Sequence, residues 1–169
     1  MMALLAGLLA SIASFNGAPG RHIQTMSAGL HLGSPVATLS IPRLHFEQIA
    51  YQGVGAPVLA LGPGHYPSTS LPGQPGTTAF AGHRVTHTHP FLNINLLRRG
   101  DVITVSTSWG RFRYQVYKER IVSATDVGVL SNAGYQQLVL TACHPPHTAL
   151  KRYVVFARRI ADHQGRHSS

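Results

Sequence analysis

Glycine and proline recur so densely in this chain that long helices are excluded. Seventeen Gly and 11 Pro are spread over 169 residues, and inside a helix each costs backbone entropy or removes an N–H donor. Between these breaks lie short runs rich in β-branched residues, the pattern of strands joined by turns. Eight strands are expected, over residues 36–41, 48–54, 77–81, 102–107, 111–118, 120–123, 138–143 and 152–157. The tetrapeptide Thr107-Ser108-Trp109-Gly110 reads as a hairpin turn that leaves Trp109 partly exposed. Helical signals are limited to single turns at residues 57–61, 90–97 and 125–130. The first two open with Pro, and the last has Thr125 or Asp126 as its cap. Many short strands without an internal repeat predict a mainly β fold, a closed or nearly closed barrel with a few short helical turns.

With 44% apolar and 11% charged residues, the chain is neither a disordered tail nor a polytopic membrane protein. Its length suits one domain. Residues 1–15, MMALLAGLLASIASF, carry no charge. They are shorter than the about 20 apolar residues of a membrane-spanning helix and lack the basic start of a signal peptide. They read as a truncated N-terminal anchor, with a docking helix of a soluble domain as the alternative. Residues 16–35, with six Gly and Pro, read as a tether, 36–161 as the folded domain and 162–169 as a polar tail. Fourteen Lys and Arg face five Asp and Glu, for a net charge of +9, and 11 of the basic residues lie within 98–120 and 151–166. Such a field attracts anionic partners, whether nucleic acid, anionic lipid or cell-wall polymer, or serves solubility alone.

Cys143 is the single cysteine, so an intrachain disulfide or a four-Cys metal site is impossible. Its strand ends in Thr-Ala-Cys-His-Pro-Pro, and the prolines stop the strand just past the thiol, placing it at a rim that substrate can reach. The alternative is a buried thiol acting as a small hydrophobe. The run Thr78-Ala79-Phe80-Ala81-Gly82-His83 also ends on a reactive side chain. A thiolate is the nucleophilic form of cysteine and is served by an imidazole, so Cys143 and His83 on neighbouring strand ends form a cysteine-transferase pair. Arg152 opens the next strand, where its guanidinium can return beside the sulfur and hold an oxyanion. His65 and Tyr66 lie in a Gly/Pro loop that is either a wall of the substrate groove or a plain turn. Thr141 and Ala142, just before the thiol, are further candidates for substrate contact. His144 falls on the opposite face if the strand continues.

A metal reading would use His83, His87 and His89, or Cys143, His144 and His147. It needs three convergent ligands and has no neighbouring carboxylate in sequence, so no metal and no cofactor are expected. The order His before Cys departs from papain-like and cell-wall peptidases, and the Gln-Ala-Cys signature of caspases is absent.

Taken together, Ile41-Pro42-Arg43-Leu44, Gly62-Pro63-Gly64-His65-Tyr66-Pro67, Leu71-Pro72-Gly73-Gln74-Pro75-Gly76, Ala81-Gly82-His83-Arg84, Thr125-Asp126-Val127 and Cys143-His144-Pro145 resemble the sortases, most of all the actinobacterial class E group. The likeness covers about residues 36–161. It implies an eight-stranded sortase-like β-barrel, with Cys143 as nucleophile, His83 as catalytic histidine and Arg152 as catalytic arginine. It further implies cleavage of a Leu-Pro-x-Thr-Gly or Leu-Ala-x-Thr-Gly sorting signal after Thr, through a Cys thioester. The implied partners are secreted proteins bearing that signal and a peptidoglycan precursor or other amine, not nucleic acid. The implied setting is a monomer on the outer face of the plasma membrane, held by its N-terminus. One departure is Val139-Leu140-Thr141-Ala142-Cys143 where the family usually has Thr-Leu-x-Thr-Cys, which bears on rate or preference rather than reaction class. The rival reading is a noncatalytic basic barrel that binds anionic wall polymer or nucleic acid.

Overall fold

The computed structural model describes residues 30–148 and 150–161. The apolar segment 1–15, most of the tether and the tail 162–169 lie outside the described residues. The described chain forms β1 (Pro35–Ile41), β2 (Phe46–Gln52), a short helix α1 (Ala56–Leu61), β3 (Gly64–His65), β4 (Thr77–Gly82), β5 (Val102–Thr107), β6 (Gly110–Ser123), β7 (Gln137–His144) and β8 (Lys151–Ile160). They close into a barrel in the order β1-β2-β3-β4-β7-β8-β6-β5, sealed by β1 pairing with β5. The β2–β3 and β4–β7 pairs are parallel and the rest antiparallel.

The expected barrel is therefore observed, with two local differences. Residues 111–118 and 120–123 belong to one strand, β6, whose register against β8 shifts between Val116 and Lys118. An extra residue there bends the strand without ending it, which in sequence looks like a break. The other difference is β3, only two residues long and set within the Gly/Pro loop. It can approach β2 because Gly64 has no side chain: a Cβ there would lie 2.2 Å from the Gly53 carbonyl oxygen. The hairpin at 107–110 forms as expected, with Thr107 opposite Gly110 and Trp109 half-buried, its indole N–H donating to the Pro72 carbonyl at 3.0 Å. Of the helical turns, α1 starts with Pro57 in its first turn, and a 3-10 turn at Val127–Leu130 is capped by Asp126, whose Oδ1 accepts from the Gly128 N–H. Within 90–97, only Ile94–Leu96 forms a 3-10 turn.

Strand alternation sorts the apolar residues into two clusters. Leu39, Phe80, Val105, Leu138, Leu140, Val155 and Ala157 point into the barrel, whose core also takes Phe91, Ile94 and Leu97 from the segment after β4. On the outside of β4, β7 and β8, a second cluster joins Ala79, Val139, Val154 and Phe156 with Val122 and Val129 under Tyr66, Tyr117 and Leu130. These three strands are covered on both faces. That is why β4 and most of β7 read as unbroken buried runs instead of alternating ones.

Candidate active site

The outer face of β4, β7 and β8 carries the three candidate residues His83, Cys143 and Arg152. Ala79 and Val139 belong to the outer cluster, so alternation places Ala81 and His83, and Thr141 and Cys143, on the same side. On β8, Val154 and Phe156 face outward, and so does Arg152. The ladders then align them. Cys143 lies directly opposite Arg152, and the β4–β7 pairing Ala81↔Thr141, Gly82↔Ala142 brings His83 beside Cys143 at the next step. Three adjacent strand ends thus present His83, Cys143 and Arg152 in one row. Lys151, opposite His144, falls on the other face.

Cys143 is a half-buried free thiol. It opens with His83, Arg84, Val85, Thr86, His147 and Thr148 onto a cleft of about 310 Å³ between the segment after β4 and the loop joining β7 to β8. Burial is the main cause that holds the His83 imidazole below its ordinary value of 6.5, and the neighbouring His87, its ring centroid 5.1 Å away, adds to the depression. His83 is therefore mainly neutral at pH 7. Arg152 is half-buried, and its Nη1 donates to the Lys151 carbonyl at 3.2 Å. Gly82 sets the approach to this row. A Cβ there would stand 2.5 Å from Cδ2 of Phe91, so only glycine lets that ring seat against the end of β4 while the chain turns into His83.

The substrate-contact candidates separate. Tyr66 is half-buried over the outer cluster and its hydroxyl lies 2.9 Å from Thr141 Oγ1, so these two share the face of the thiol. His65 does not wall that face. It is 1% exposed, its ring nitrogens lie 2.8 Å from Gln52 Oε1 and 3.1 Å from the Ser70 carbonyl oxygen, and its ring meets Phe80 edge-on. Its work is to pin the loop. Ala142 is likewise corrected, because its side chain is buried in the barrel core, one step out of phase with Thr141 and Cys143. His144 turns toward Tyr153 and accepts from Arg84 Nη1 at 3.4 Å, away from the row. Among the described residues, no group of three or more His, Cys, Asp or Glu side chains is gathered closely enough to hold a metal ion.

Arg84, Val85, Thr86, His147 and Thr148 as cleft walls escaped the sequence, and so did the contact of His87 with His83. Arg84 is 6% exposed, its Nη2 donating to Asn95 Oδ1 at 2.6 Å and its Nε to the Leu92 carbonyl at 3.4 Å. A basic residue after a strand end looks solvated in sequence, and the one available signal was its place next to His83.

Comparison with known proteins agrees with this geometry. The sortase-domain family profile matches residues 39–160. Sortase D of Bacillus subtilis is 30% identical over 76% of this chain and 65% of its own length, and sortase SrtE1 of Streptomyces coelicolor is 32% identical over 77% of this chain and 42% of its own. The chain thus spans less than two thirds of either relative. The structure of sortase E from Streptomyces avermitilis superposes with a TM-score of 0.69 at 33% identity, covering 78% of this chain and 91% of that one. A barrel of this strand order, a Cys and a His on parallel neighbouring strand ends and a profile spanning most of the chain lead to one conclusion: this protein belongs to the sortase family.

Proposed function

We propose that the protein is a cysteine transpeptidase of the cell envelope. It cleaves a C-terminal sorting signal of the Leu-Ala-x-Thr-Gly or Leu-Pro-x-Thr-Gly type between Thr and Gly and passes the acyl group to a wall amine. The observation that carries this reading is the row of His83, Cys143 and Arg152 on three adjacent strands. Neutral His83 takes the thiol proton, and the Cys143 sulfur attacks the Thr carbonyl carbon. Arg152, across the ladder from the sulfur, holds the oxyanion. As the C–N bond breaks, protonated His83 returns its proton to the Gly amine, leaving a thioester. An incoming amine then attacks the thioester carbonyl, gives its proton to His83 and expels the Cys143 thiolate. Tyr66 and Thr141, joined by their hydroxyls on the same face, bound the groove for the residues before the scissile bond. In this reading the chain acts as a monomer and the apolar residues 1–15 hold it at the membrane.

The test is the intact mass of the protein after brief incubation with each signal peptide, with Cys143→Ala as control. A gain equal to the peptide through Thr, absent from the control, is the expected result, and the two peptides are ranked by its rate. A folded protein that forms no adduct and cuts neither peptide would overturn the reading.

A further inference from the structure

Two pairs of side chains stand back to back at the ends of β4 and β7. The last paired residues of this parallel ladder are Gly82 and Ala142. One step further His83 and Cys143 face outward together, and at the next step Arg84 and His144 face the other way. Neither pair belongs to the β4–β7 ladder, so the spacing of the outward pair depends on what joins the two chain ends beyond it.

The inward pair supplies such a tie. Arg84 Nη1 donates to His144 Nδ1 at 3.4 Å, its Nη2 donates to Asn95 Oδ1 at 2.6 Å and to the Leu92 carbonyl at 3.3 Å, and its Nε donates to the same carbonyl at 3.4 Å. The Phe91 N–H donates to the His83 carbonyl at 3.0 Å, so the segment after β4 folds back on both residues. Arg84 is nearly fully buried, its hydrogen-bond acceptors are neutral, and among the described residues no carboxylate lies within ion-pair distance of it. Behind His144 stands Tyr153, its ring centroid 6.0 Å away. Burial first and Glu119 second hold the Tyr153 phenol above its ordinary value of 10, against the opposing charges of Arg98 and Arg84. Lys151 lies across the β7–β8 ladder from His144. A guanidinium has five donors, no acceptor and no neutral form in a protein. His144 therefore meets it with Nδ1 bare, the ring proton on Nε2. A doubly protonated ring would lose the bond and set a second positive charge against a buried first.

We propose that Arg84 and His144 are positioning residues: their contact on the inner side clamps the ends of β4 and β7 and so sets the distance between His83 and Cys143 on the outer side. The inference rests on the transpeptidase reading and adds to it two residues that act through the His83–Cys143 pair without touching substrate. The lever is short, because each member of the clamp is the chain neighbour of the residue it positions. A splay of the two ends by about 1 Å takes the imidazole out of hydrogen-bond reach of the thiol, and a misplacement of that size costs about 100-fold in rate. The proton still travels from the Cys143 thiol to His83 and on to the Gly amine, and none passes to Arg84 or His144.

The test separates the two ring nitrogens of His144. In His144→Asn the amide oxygen takes the place of Nδ1 and can accept from Arg84, whereas in His144→Gln it takes the place of Nε2 and cannot. Single-turnover acyl-enzyme formation on a sorting-signal peptide is expected to stay within about threefold of wild type in His144→Asn and to fall about 100-fold in His144→Gln, with half-saturation by the peptide unchanged. Arg84→Lys keeps the charge but offers one nitrogen to three acceptors, and should fall in the same way. His83→Ala, costly in the wild type, should add little in His144→Gln, where the base is already out of reach. Melting temperatures of the two His144 variants are expected to agree, so that unfolding does not explain their difference in rate. Equal rates in His144→Asn and His144→Gln, or losses that simply add to that of His83→Ala, would assign these residues to plain stability and overturn the inference. So would wild-type rates in both His144→Gln and Arg84→Lys. A wild-type protein that forms no acyl-enzyme would instead bring down the transpeptidase reading, and this inference with it.

Discussion

The two sides of this barrel are built by different rules. On β1 and β5, buried residues largely alternate with half-buried or exposed ones, β2 buries Ala50 alone, and Thr38, Ser40, Thr104 and Ser106 line a polar face with Glu47 and Arg111. On β4, β7 and the middle of β8, nearly every residue is buried, because Tyr66, Tyr117 and the 127–130 turn cover the outer face as well. The reactive row emerges where this double cover stops, at His83, Cys143 and Arg152. A strand buried on both faces cannot slide or tilt without disturbing two packed layers. The stiffer side is therefore the one that holds His83, Cys143 and Arg152 in register, as the proposed nucleophile, base and oxyanion partner require.

Breaking the row should have the largest effect. Cys143→Ala is expected to lower transpeptidation at least about 10⁴-fold while leaving the melting temperature nearly unchanged, as followed by peptide turnover and thermal denaturation. Next comes an identical substitution on the two sides. Val139→Asp would bury a carboxylate in the outer cluster and destabilise by about 3–5 kcal/mol. Thr104→Asp on the hydroxyl face should stay within about 0.5 kcal/mol. Urea unfolding of both variants checks this, and similar losses would refute the asymmetry.

A smaller effect concerns the joint between the sides, where β3 bridges β2 and β4. His65 is held below its ordinary value of 6.5 chiefly by burial, against the opposing hydrogen bond to Ser70. The unfolded chain therefore binds the proton more readily. The stability linked to His65 is complete above about pH 6.5 and is lost as pH falls through the folded-state value, with a slope of at most about 1.4 kcal/mol per pH unit. Urea unfolding from pH 7.5 to 5 should show this slope, and His65→Gln should flatten it. The smallest expected effect is at His87. In His87→Asn the limb of the kcat/KM pH profile that reports His83 should move to higher pH, because one of the two causes of its depression is removed while burial remains. A limb that stays in place would mean that the His83–His87 contact has no electrostatic consequence.

Legibility in the sequence followed the same division. Runs of β-branched residues between Gly and Pro breaks mark most strands, and Gly-His and Cys-His-Pro-Pro mark the two strand ends nominated for the chemistry. The β6 bulge was taken for a strand boundary because a residue out of phase looks the same in sequence whether the strand bends or stops. His65 was grouped with Tyr66 by proximity, yet one residue along a strand reverses the face, and the imidazole went inward. Ala142 was misplaced for the same reason. Arg84 gave no signal beyond its place next to His83, since its burial comes from Phe91, Leu92 and Asn95 folding back over the end of β4.

By itself the sequence determined the fold class and nominated Cys143, His83 and Arg152 at the ends of neighbouring strands as the thiol, imidazole and guanidinium of the proposed chemistry. These depend on local rules: backbone freedom at Gly and Pro, β-branched runs and the reactivity of particular side chains. Only the tertiary structure decided that β4 lies parallel to β7, that Arg152 stands opposite Cys143, and that the cleft beyond the thiol is walled by His147 and a buried Arg84. Each of these is a pairing between residues about 10 to 60 positions apart. Such pairings are selected by how both faces of the strands pack at once, which no single stretch of sequence contains.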